Sequence, residues 1–214
     1  MCRSESTGRT CLRCSRRGCT LGLGEDVVRL LWGLIPVLLL GACVTRDPAV
    51  SVSNATTSGN WKIERQIDRI TGTPLPSAQL MTAASSNSAV TTTRPAGLQL
   101  TCFEQQPLVR ISFDFKIGAD RNTILGYRFD DKPGHDNVAS RILNGYQVIV
   151  IEDKAAVADF INDMSGSRTL YVRIRSLNAG RTTAEFSLEG AAAAVQAAFA
   201  DCPLSGEPAK RKMS

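Results

Sequence analysis

The chain has 214 residues, with 25 Lys and Arg against 20 Asp and Glu, one histidine and seven cysteines. Its formal charge of +5 is unevenly placed, because residues 61–203 hold 15 basic and 15 acidic side chains. A neutral stretch of that length is enough for one domain, and it argues against electrostatic capture of nucleic acid, which needs a basic face or stripe.

The first segment places Cys2, Cys11, Cys14 and Cys19 among arginines, with no apolar period. Cys11-Leu-Arg-Cys14 has the spacing of half a zinc site, but a structural zinc needs a second ligand pair at similar spacing, and no histidine is near. The preferred reading is that translation starts downstream, near Val27 or Val28. Leu30 to Val44 then carries no charge over 15 residues, short of the roughly 20 that a spanning helix needs. Arg29 before the run and the small Gly41 and Ala42 at its end match a cleavable signal peptide. Leu40-Gly41-Ala42-Cys43 resembles a bacterial lipobox, in which the cysteine thiol takes a lipid and becomes the first mature residue. Residues 1–42 are therefore expected to be signal peptide plus N-terminal extension, and 43–60 a lipidated Cys43 followed by a flexible Ser/Thr/Asn-rich linker. The expected location is periplasmic and lipid-anchored. Val44 stands where inner-membrane lipoproteins commonly carry Asp, which favours the outer membrane.

From Trp61 the pattern changes. Trp61, Ile63 and Arg65 alternate with Lys62 and Glu64, as in a half-buried strand, until Thr71-Gly-Thr-Pro-Leu-Pro breaks it. A strand is expected over Ala78–Ala84. Leu98–Phe103 and Leu108–Phe115 read as a hairpin, the second strand placing Val109, Ile111, Phe113 and Phe115 on one face. Ile124–Phe129 reads as a strand ending in the polar loop Asp130-Asp-Lys-Pro-Gly-His-Asp136. After the apolar run Tyr146–Ile151, Asp153 can cap a helix with Val157, Phe160, Ile161 and Met164 on one side. Thr169–Ile174 and Thr183–Leu188 flank a turn at Gly180, and Ala191–Ala200 reads as a closing helix. The order predicts an α+β domain over 61–203 with a mainly antiparallel or sandwich-like sheet, one internal helix and one C-terminal helix. Residues 204–214, with Lys210, Arg211 and Lys212, read as a disordered basic tail.

Once the leader is removed, Cys102 and Cys202 are the only cysteines besides Cys43. An even pair in an oxidising compartment predicts a Cys102–Cys202 disulfide closing a loop of about 100 residues. His135 is the lone histidine, so any triad must pass through it. The DDKPGHD spacing around it does not match a calcium loop. Ser140 lacks the G-x-S-x-G elbow, and Gly118 and Gly126 fit neither phosphate-binding glycine pattern. No catalytic residue, metal ligand or cofactor is assigned. Arg128 and Asp130, flanking Phe129 on one strand face, together with His135, are the candidate contacts for a ligand or partner. Arg173 and Arg175 share a face and could receive an acidic partner or cover the sheet with their stems.

Trp61, Leu98-x-Leu-x-Cys102, the strand to Phe115, Tyr127-Arg-Phe-Asp130, Ser140, Phe160, Leu170-Tyr-Val-Arg173, Phe186-Ser-Leu-x-Gly190 and Cys202 together resemble the TagO (VasI) family of type VI secretion accessory proteins. The resemblance spans most of 61–203 and departs from the family pattern in lacking a tryptophan ahead of Ser140. It implies a small periplasmic α+β domain with a cysteine near each end and no established enzymatic activity. The expected function is a non-enzymatic envelope lipoprotein that presents a protein-binding domain, with the membrane and an envelope protein as partners. The alternative is a small-ligand or cell-wall-fragment binding module.

Overall fold

The structure is a computed structural model that describes residues 50–88, 90–202 and 204. The signal peptide, Cys43, the first residues of the expected linker and the basic tail beyond Ser205 lie outside the described residues. In chain order the elements are β1 (Val50–Ser58), β2 (Trp61–Asp68), β3 (Pro74–Ser86), β4 (Arg94–Phe103), β5 (Gln106–Phe113), β6 (Thr123–Phe129), β7 (His135–Val138), β8 (Arg141–Leu143), β9 (Val148–Ile151), α1 (Lys154–Met164), β10 (Thr169–Ser176), β11 (Gly180–Ser187) and α2 (Ala191–Ala198). The strands form one antiparallel sheet in the order β7-β6-β10-β11-β3-β4-β5-β9-β8, with β2 also paired to β3 and β1 to β2. The chain is thus α+β with one internal and one C-terminal helix, as its patterning predicts.

Period-2 alternation accounts for most of the sheet. In β5 Pro107, Val109, Ile111 and Phe113 are buried and the residues between them only partly so, which is the signature of a strand with one face on a core. In β10 Leu170, Val172, Ile174 and Ser176 are buried, and Tyr171, Arg173 and Arg175 are exposed. Helix α1 begins where Asp153 accepts a hydrogen bond from the Ala156 amide at 2.9 Å, satisfying one of the orphan donors of a helix start. Its Val157, Phe160, Ile161 and Met164 are buried at helical spacing. Phe160 meets the rings of Tyr127 and Phe129 at centroid distances of 4.9 and 5.0 Å, both edge-on, a geometry that aromatic quadrupoles favour.

Strand β3, 13 residues long, organises the rest. Pro74–Leu80 pairs with β2, Ala84–Ser86 pairs with β11, and β4 runs along the other edge. Where β3 passes from one partner to the next, the Thr82 hydroxyl donates to the Glu185 carbonyl at 2.7 Å. Two glycines permit the β1–β2 turn to seat against the start of α2. Gly59 and Gly190 both have positive φ, and a Cβ on either would collide with the backbone of the other's neighbour. The Asn60 amide donates to the Glu189 carbonyl across this contact at 3.1 Å.

Two readings from sequence change here. Residues 50–58, expected as linker, form β1, aligned with β2 from Val50 opposite Asp68 to Ser58 opposite Trp61. Asn54 to Thr57 are all exposed, so this stretch of the strand buries no side chain that would reveal it; a backbone ladder pairs it with β2. The polar loop after Phe129 likewise contains β7, whose His135 lies opposite Tyr127 and Val138 opposite Leu125.

The expected disulfide is present. Cys102, at the end of β4, bonds Cys202, just beyond α2, with Cα atoms 5.8 Å apart. The bond lies at one end of the sheet, and the register gathers other features there. Val50 is opposite Asp68, the β2–β3 turn follows directly, and the β4–β5 turn is next to Cys102. The opposite end carries the β10–β11 turn.

Candidate functional site

Strands β6, β10 and β11 and the distal half of β3 turn one face to the core and the other to an open groove of about 690 Å³. The registers set its rows. Ser85 lies beside Thr183, Thr183 beside Arg173, and Arg173 beside Gly126. In the next row Glu185 lies beside Tyr171, and Tyr171 beside Arg128. Tyr171 is 40% exposed, and the Arg128 guanidinium stands over its ring at 5.4 Å from the centroid, within cation–π range.

Asp136 of β7 reaches over this face. Its two carboxylate oxygens accept from the guanidinium groups of Arg173 at 3.0 Å and Arg175 at 2.7 Å. Gly126 makes the crossing possible, because a Cβ there would lie 3.1 Å from the Asp136 carboxylate and 3.0 Å from the His135 carbonyl. The Asp136 carboxyl is held below its ordinary value. Desolvation pushes it up, but the Arg173 hydrogen bond, the Arg175 charge, the Asn137 amide and the Arg173 charge together outweigh that. Ser85 and Thr183 hydroxyls hydrogen-bond one another at 3.0 Å. Arg128 and Glu185 enter no ion pair with any described residue.

The three contacts proposed from sequence do not converge. Arg128 lines the groove. Asp130 does not, and its expected placement on the Arg128 face is corrected: β6 ends at Phe129, and Asp130 turns away with φ 43°. Its carboxylate accepts from the amides of Arg168 at 3.0 Å and Thr169 at 2.8 Å, fastening the loop to the start of β10. His135 contributes backbone to the groove, but its imidazole lies on the other face, stacked on Tyr127 at 4.7 Å. There its Nε2 is 2.7 Å from the Asp163 carboxylate of α1. Lys132 closes the same corner by donating to the Asp163 carbonyl at 2.6 Å. Burial, with the Asp163 and Asp159 charges adding to it, pushes the neighbouring Tyr127 phenol well above its usual range, so it stays protonated.

No protein-family model, curated protein or solved structure matches the chain. Its chemistry has to be read from the groove itself. Arg128, Arg173, Arg175 and Arg181 stand on that face against Asp136 and Glu185, and an aromatic ring lies in the middle. Such a surface can grip a carboxylate, lay an apolar or planar group on Tyr171, and hydrogen-bond through the Ser85 and Thr183 hydroxyls. Among the described residues no cluster of three or more His, Cys, Asp or Glu is arranged to hold a metal ion. The sequence carried one usable signal for this face, the Tyr171-Val-Arg-Ile-Arg175 alternation. It could not show that Arg128 and Asp136 come to it from β6 and β7.

Proposed function

We propose that this protein is a lipid-anchored envelope protein, held through Cys43, whose domain binds an acidic segment of another protein in the β6–β10–β11 groove. The observation that carries the reading is the Arg128–Tyr171 pair, an exposed ring under a guanidinium that has no acidic partner among the described residues. Tyr and Arg are the residues that most often anchor protein interfaces. The Cys102–Cys202 disulfide supports an oxidising compartment, and the separation of the His135 imidazole from Ser85 and Thr183 supports a binding role rather than acyl-transfer catalysis. A type VI secretion apparatus is the setting that the family resemblance favours. The groove's volume also lies in the range of small-ligand sites, which keeps a cell-wall fragment as the second reading.

A photo-crosslinking side chain in place of Thr183, in the exported protein, tests the choice. A discrete protein adduct that disappears with Arg128→Ala or Tyr171→Ala is the expected result. Absence of a protein adduct, with thermal stabilisation by acidic wall peptides that the same substitutions remove, would move the reading to the second. If neither a protein adduct nor ligand stabilisation is seen, the groove has no binding role and both readings fail.

A further inference from the structure

The end of the sheet that carries the disulfide displays two large apolar side chains to solvent. Ile70, at the tip of the β2–β3 turn, is 86% exposed, and Phe103, at the end of β4, is 52% exposed. The Ile70 turn is firmly built. The Asp68 carboxylate accepts from the Ile70 amide at 2.7 Å and the Thr71 amide at 3.1 Å, and the Gly72 amide returns to the Asp68 carbonyl at 2.8 Å. A turn held in this way presents its apolar tip at no cost in further ordering. Phe103 is fixed by the two-residue β4–β5 hairpin, whose Glu104 and Gln105 both take positive φ, as the twist of such a hairpin requires. The Asp68 charge is occupied by the turn, and Arg69 stands exposed beside Ile70.

The path of the chain says what this end faces. Val50 is paired with Asp68, the residue that opens the Ile70 turn. Six residues separate Cys43 from Val50, and fully extended they span at most about 25 Å. If Cys43 carries lipid, the β2–β3 turn is the part of the domain next to that tether. Past Leu204, which follows the disulfide at the same end, the sequence continues to Lys210, Arg211 and Lys212, suited to anionic headgroups.

We infer that this end is a membrane-contact surface: Ile70 and Phe103 enter the headgroup region of the bilayer that holds the Cys43 lipid. The inference rests on the lipoprotein reading. A few apolar side chains bind membranes only marginally by themselves, but on a domain already held at the surface by a lipid they suffice to set its orientation. Insertion of these side chains would convert a swinging tether into a fixed orientation. The groove, whose Ser85 and Thr183 lie toward the β10–β11 end, would then face away from the lipid.

The test uses the exported protein extracted from membranes and reconstituted in vesicles of phosphatidylethanolamine and phosphatidylglycerol with brominated acyl chains. Mass spectrometry of the Cys43 peptide reads the lipid independently. Ile70→Trp and Phe103→Trp report depth, and Leu177→Trp, at an equally exposed position in the β10–β11 turn, reports the opposite end; the native Trp61 is fully buried and serves as internal reference. Indole emission from the first two variants should fall about twofold or more in brominated vesicles, with Leu177→Trp unchanged. Acylated Cys43 without quenching at positions 70 and 103, or equal quenching at 177, would overturn the contact surface and leave the lipoprotein reading standing. An unmodified Cys43 would overturn both.

Discussion

Strands β6 and β10 make two faces from alternating residues of the same short segments, and the two are finished differently. Toward α1, Leu125, Tyr127, Phe129, Leu170, Val172 and Ile174 are buried, and the polar groups at the margin have their partners. His135 meets Asp163, Lys132 meets the end of α1, and Asp130 meets the amides that begin β10. Away from α1, the same strands leave Arg128 and Tyr171 stacked on each other with no described element packed above them. The contrast is informative because local propensity is shared: what differs is whether a second layer covers the face. A covered face is selected for packing and satisfaction, so its residues explain stability; polar and aromatic groups left without such partners are free to serve recognition.

Five experiments sharpen or break that contrast. Phe160→Ala removes the α1 ring from between Tyr127 and Phe129 and should cost about 3–5 kcal/mol in urea unfolding, whereas Tyr171→Ala on the open face should change stability little. A loss at Tyr171 as large as that at Phe160 would show that the groove is structural. Removing the Cys102–Cys202 disulfide by paired alanines should cost about 2–4 kcal/mol, read as the shift in urea midpoint, with groove ligands still bound by the surviving folded fraction. Gly126→Val should lose roughly 1–2 kcal/mol, since its side chain must displace the His135 carbonyl and the Asp136 carboxylate, and it should block the groove to any ligand. Thr182→Val tests the covered side from the other direction. The Thr182 hydroxyl is buried with no hydrogen-bond partner among the described residues, so an isosteric apolar replacement should raise stability by about 1 kcal/mol. The smallest effect concerns Asp136. A carboxyl held below its ordinary value stabilises the fold above the usual carboxylate range and loses that contribution as pH falls through its lowered folded value. Asp136→Asn should therefore lower the melting temperature slightly at neutral pH and flatten the acid limb, the two profiles converging below the carboxylate range; an unaltered acid limb would mean that the arginine contacts do not bear on folding.

How much of this was legible in the sequence followed from how strongly each segment is patterned. The alternation of β5, the one-sided apolar spacing of α1 with its Asp153 cap, and the even cysteine pair each contain their own evidence within a few residues or a simple count. β1 escaped because Asn54-Ala-Thr-Thr-Ser58 carries no apolar alternation and Val50-Ser-Val52 alone is too short a run to mark a strand. β7 and β8 are too short to stand out, and β7 is mostly polar besides. The groove escaped for a different reason: Tyr171 meets Arg128, and Arg173 meets Asp136, through strand register, which a single sequence does not encode locally. Asp130 shows the converse. Its carboxylate looked available, and a single residue at positive φ turned it toward the backbone.

The change of partner along β3 bears on how the molecule comes apart. One continuous strand serves the β1–β2 flap with its first half and β11 with its second, while β4 runs beside both. Neither half can leave without stripping hydrogen bonds from a strand that the other half needs. The domain is therefore expected to melt in a single cooperative transition, with the calorimetric and van't Hoff enthalpies agreeing. Amides of β3 should rank among the slowest to exchange with solvent, and those of β1, whose outer edge pairs with no described strand, among the fastest in the sheet.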